Sequence, residues 1–159
     1  MQRLPTETDP TGRKAEFDSR WRHLTAQANL DLNQGELEAA GLAYDQAYHE
    51  ARMIFAEAWN GHLKVQPHAA PMMIVSATNA AAQRRALGNE QAAQDQLVSA
   101  LRIFTQALTS ERAAKGLKRG CAEHLPRLIA EISKRQGEAD DIVAEAKNAA
   151  LGFWKTSAH

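Results

Sequence analysis

The chain has 159 residues with 19 acidic and 19 basic side chains, so it can build one self-sufficient core and has no net charge to draw it generally to nucleic acid or anionic lipid. Its single cysteine, Cys121, excludes an internal disulfide and a cysteine-only zinc site. Alanine fills about one position in five, aromatic residues are few and no hairpin turn separates alternating runs, which together predict an all-α protein.

Residues 1–13 carry Pro5, Pro10 and Gly12 among polar residues and read as a flexible N-terminal arm ahead of a single helical domain over 14–159. The opening lacks the apolar core of a signal peptide, and the most apolar run, residues 70–77, is too short to cross a bilayer. These features predict a cytoplasmic protein with no membrane partner. A first helix is expected from Lys14 to Asn33, with Phe17, Trp21, Leu24, Ala28 and Leu32 on one stripe and Gly35 as its stop. A second follows from about Glu36 to Trp59, ended by Asn60 and Gly61. A third starts near Ala69 or Pro71 and runs to Leu87, where Gly88 ends it. The fourth, about Glu90 to Ala113, should bury Ala93, Leu97, Ala100, Phe104 and Leu108. In the fifth, about Lys118 to Arg135, Pro126 either kinks the helix or marks where its regular part begins. The sixth, about Glu138 to Lys155, shows Ile142, Ala146, Ala149 and Phe153 on one face. Six helices joined mostly by short turns predict antiparallel neighbours.

Gly35, Gly88 and Gly137 align three of these hairpins without a gap. Five residues after each glycine stand Ala40, Ala93 and Ile142; nine after, Tyr44, Leu97 and Ala146; twelve after, Ala47, Ala100 and Ala149. Those offsets define one helical face. Seven before come Ala28, Ala81 and Ala130, which predicts a short side chain where the two helices of each pair cross. A helical bundle without true repeats could show the same alanine-rich seams.

The motif Leu24, Ala28, Gly35, Ala40, Tyr44, Ala47, followed by Ala81, Gly88, Ala93, Leu97, Ala100, resembles the tetratricopeptide repeat (TPR). The resemblance covers about residues 20–155, as repeats near 20–64, 69–114 and 118–155. The glycines lie 53 and 49 positions apart, against a usual period of about 34, so the pattern is similar to the variants with extended helices. The resemblance implies antiparallel hairpins stacked as a superhelix, with a concave wall built from the first helix of each pair. On that wall would lie Arg22, Thr25, Asn29, Val75, Asn79, Arg85, His124 and Arg127. Asn29 and Asn79 match the asparagines of the subclass that clamps a partner's C-terminal carboxylate. The clamp's basic positions fall on Thr25, His124 and Leu128, leaving Arg22, Arg85 and Arg127 as nearby substitutes. The implied function is a non-catalytic adaptor or chaperone-like module binding a protein or peptide.

The remaining chemistry is sparse. His62 with His68, and His49 with Glu50, lack the spacing that sets several metal ligands on one helical face. No phosphate loop, nucleophile elbow or paired-cysteine motif occurs. The reading therefore has no catalytic residue, metal or cofactor, with a ligand-sensing or metal-binding helical bundle as the alternative. Arg112, Lys115, Lys118 and Arg119 form a basic run without interleaved aromatics and read as a solvated connection rather than a nucleic-acid surface. On the sixth helix Val143, Ala150 and Trp154 point away from the inner face, which predicts a homodimer contact or a docked partner there.

Overall fold

A computed structural model describes the backbone of residues 10–134 and 139–157 and the side chains of 18–134 and 139–157. Six helices lie in these residues and no strand does: α1 (Pro10–Asn33), α2 (Leu37–Trp59), α3 (Gln66–Ala86), α4 (Glu90–Thr109), α5 (Lys115–Ser133) and α6 (Asp140–Ser157). The protein is all-α, as composition and periodicity predict. The first helix begins at Pro10, inside the stretch expected to be an arm; proline suits a first turn because its missing N–H has no partner there anyway. Phe17 lies outside the described side chains, and Gly137 outside the described backbone.

The turns explain why glycine punctuates the sequence. Gly35 and Gly88 have φ of 80° and 77°, a left-handed conformation that a side chain resists. At the first turn the Gly35 N–H donates to the Leu32 carbonyl (3.1 Å) and the Glu36 N–H to the Asp31 carbonyl (2.8 Å). At the second, Gly88 donates to Arg85 and Asn89 to Arg84, both at 2.9 Å. Each is a Schellman closure that pairs two otherwise orphaned carbonyls and reverses the chain. Asn89 then caps the next helix, its Oδ1 accepting from the Ala92 N–H at 3.0 Å.

Several boundaries shift from the expected ones. Pro67 sits in the first turn of α3 and Pro71 one turn further in, so the helix starts ahead of Ala69. Ser110 turns extended and ends α4 four residues before Ala113. The Ala114 N–H donates to the Trp59 carbonyl at 3.1 Å, tying that connection to the end of α2. Lys115, Lys118 and Arg119, expected in a loose connection, form the first turns of α5. Pro126 stands in the middle of α5, so it does not begin the regular part of that helix. It leaves the Ala122 carbonyl without its intrahelical N–H.

Successive helices pack against one another throughout, and α3 also packs on α5, α4 on α6, and α2 on α5. Side chains add the remaining links: Trp21 Nε1 of α1 donates to Ser76 Oγ of α3 at 2.7 Å, and Phe55 of α2 stacks on Phe104 of α4 at 5.9 Å. α3 thus lies beside α5, and α4 beside α6. The core is continuous from α2 to α6, with a smaller cluster of Ala28, Ala40, Ala43, Tyr44 and Ala80 where α1, α2 and α3 meet. Close approach follows from small residues. Gly116 of α5 faces Gln66 of α3, whose side chain occupies the place a Cβ would take, and Gly120 faces Ala70. Gly41 likewise makes room for Gln83, whose Nε2 donates to the Leu37 carbonyl at 2.9 Å.

The expected repeat positions are buried in the first two hairpins, including Ala28, Ala81, Ala40, Ala93, Tyr44, Leu97, Ala47 and Ala100. The third differs. Ala130 is exposed, because α5 turns Leu117, Cys121, Leu128 and Ile132 inward and leaves Ala130 on its outer side.

Candidate partner-binding surfaces

The proposed wall residues are distributed over α1, α3 and α5, and no hydrogen bond or ion pair joins any two of the five principal ones among the described residues. Arg22 is exposed and pairs with Asp18 one turn earlier at 3.5 Å, a surface contact worth little. Asn29 is exposed, but its Oδ1 accepts from the Tyr44 hydroxyl of α2, which fixes its amide toward the hairpin seam. Arg85 is half-buried, and its Nε donates to Glu90 Oε1 at 3.3 Å across the Gly88 turn. Asn79 is half-buried with no side-chain hydrogen bond among the described residues, and Arg127 is exposed without an ion pair there. Thr25 is engaged, its hydroxyl donating to the Trp21 carbonyl at 2.8 Å. Leu128 is fully buried, so that clamp position is core and cannot reach a ligand.

Among the described residues, no three histidine, cysteine or acidic side chains converge as a metal site would require. His62 is in the α2–α3 connection, His68 in the first turn of α3, and Glu50 beside His49 pairs with Arg20 at 2.7 Å. Cys121 lies in the core, where burial pushes its thiol well above the ordinary value, because a thiolate is disfavoured there. Burial also raises the Tyr48 phenol, an effect partly opposed by the Arg52 charge. No described helix is long and apolar enough to cross a membrane.

A second surface lies between the last two helices. Between α5 and α6 an apolar groove of about 560 Å³ runs along Ala122, Leu125, Pro126, Ile129, Ala130 and Ser133 on one wall and Lys147, Ala150, Leu151 and Trp154 on the other. Ala150 and Trp154 were expected on an uncovered face and do line it. Val143 does not: it is half-buried against the main core. In its place stands Leu151, 55% exposed and one turn from Trp154. The signal was present in the sequence as the i, i+3 pair Leu151 and Trp154, but the face it belongs to depends on how α6 is rotated against α5.

The described residues form an all-α protein of packed successive helices with an apolar groove between α5 and α6. No protein-family model, curated protein or solved structure matches the chain.

Proposed function

We propose that this protein is a non-catalytic interaction adaptor of the tetratricopeptide kind, in which the face of α1, α3 and α5 receives a peptide or an extended segment of a partner protein. What supports the reading is that α3 and α5, which pack together, each carry an unengaged polar group: Asn79 has both a donor and an acceptor free of side-chain partners among the described residues, and Arg127 has no ion pair there. An amide and a guanidinium supply what a peptide backbone and a carboxylate need. Asn29 contributes through the seam, held by Tyr44, and Arg22 and Arg85 act as peripheral charges already shared with Asp18 and Glu90.

The test is capture of partners from the native cell extract on immobilised wild type and on the Asn79→Ala, Arg127→Ala double variant. Captured partners should be rebound as synthetic C-terminal peptides in free-acid and amidated forms. Weakening of about tenfold or more in the variant supports the reading, since each lost charged hydrogen bond is worth about 1.5–3 kcal/mol. Equal retention by both proteins places the binding elsewhere. Preference for the free acid over the amide identifies carboxylate recognition.

A further inference from the structure

The α5–α6 groove points to a second and distinct interaction. Twice in this molecule the open side of a hairpin is covered in the same way. Ala80 of α3 closes on Ala28 of α1 and Tyr44 of α2, and α5 lies against both α3 and α4. Each covering element is a helix with an apolar face. On the side of α5 and α6 away from α3 and α4, no described helix fills the groove between them, which is lined by Ile129, Ala150, Leu151 and Trp154. It follows α5 from Ala122 to Ser133, about three helical turns or roughly 16 Å at 1.5 Å per residue, the length of one three-anchor helix.

The charge around the groove selects among occupants. Lys147 lines it directly. Helical spacing aligns Arg119, Glu123 and Arg127 with the α5 wall and Asp140 and Lys155 with the α6 wall, and all six side chains are exposed and unpaired among the described residues. Lys134 is neutralised by Glu131 at 2.9 Å. Four cations therefore face two carboxylates. A second copy docking by the same face would bring two rims with the same excess charge together, whereas a helix edged with acidic residues meets complementary charge.

We infer that the α5–α6 groove docks an amphipathic helix of a partner protein, one carrying leucine-like anchors at i, i+3 or i+4, and i+7 and acidic residues along its edges. The site is separate from the peptide face of α1, α3 and α5; because Arg127 borders both, its substitution cannot tell them apart, and the test relies on Leu151 and Lys147.

The probe is a labelled alanine-based peptide of about 18 residues, long enough to sample a helix, with leucines on one face and glutamates on both edges; a twin has lysine in place of every glutamate. Fluorescence anisotropy against the full chain should show the glutamate peptide binding at least about tenfold tighter at low salt, with the gap narrowing as salt screens it. Leu151→Glu should weaken both peptides at least tenfold, and Lys147→Glu should shrink the preference for glutamate. Leu151 is exposed, as is Lys147, and matching melting curves would show that the variants fold. Equal affinity for the two peptides, or unchanged affinity in Leu151→Glu, overturns the inference. So does a concentration-dependent dimer in sedimentation that Leu151→Glu abolishes, since the occupant would then be a second copy.

Discussion

Gly88 shows how much one residue fixes here. No atom lies within 4 Å of the place a Cβ would take, so Gly88→Ala meets no steric obstacle and its whole cost is the left-handed φ. That cost is about 1–2 kcal/mol, which for a domain of this size lowers Tm by about 2–8 °C, readable by calorimetry. Cys121 offers a chemical counterpart. Burial raises its thiol above the ordinary 9.0, so the native chain should resist iodoacetamide at pH 8 and react only after denaturation. The linkage has a definite sign. At pH values above the unfolded thiol's pKa the native state holds the proton that the unfolded state has lost, so stability is complete below about pH 9 and falls as pH rises, by up to about 1.4 kcal/mol per unit for the thiol. The raised phenols of Tyr44 and Tyr48 extend the decline beyond pH 10. Denaturant midpoints between pH 7 and pH 11 measure it.

At the scale of the element, α4 was the most legible helix. Ala93, Leu97, Ala100, Phe104 and Leu108 recur at helical spacing, and all five are buried; Asn89 before them supplies the cap. Asn89→Ala should therefore cost about 1 kcal/mol in urea unfolding. The α5 helix was less legible, because Pro126 is compatible with a start, a kink or an interior position, and local sequence does not rank them. Packing of the upstream turns decided it: Leu117 and Cys121 are fully buried and Gly116 and Gly120 face α3, so the helix is held on both sides of the proline. Because Pro126 is exposed, Pro126→Ala removes no core contact and restores the N–H to the Ala122 carbonyl. It should stabilise the chain by about 1–3 kcal/mol, measured as a higher denaturant midpoint.

Across the whole molecule, burial is uneven. Among the described side chains of α1 only Ala28 is fully buried, with Trp21, Leu24 and Leu32 half-buried, whereas α3 and α4 each bury a long series. Native-state hydrogen exchange should therefore find α1 opening well below the free energy of α3 and α4, and limited proteolysis should cut there first.

The sequence by itself determined the class, the number of hairpins and the places where two of them turn, because apolar periodicity and left-handed glycine are properties of neighbouring residues along the chain. It also marked Asn79 and Arg127 as polar groups on first helices. Tertiary structure alone decided that Asn29 turns toward Tyr44, that Ala130 faces outward while Leu128 is core, and that Leu151 rather than Val143 joins Trp154 at the groove. Those outcomes depend on the rotation of each helix about its axis. That rotation is set by the sum of contacts with two or three neighbours distant in sequence, and a few tens of degrees are enough to move a side chain from the core to the surface.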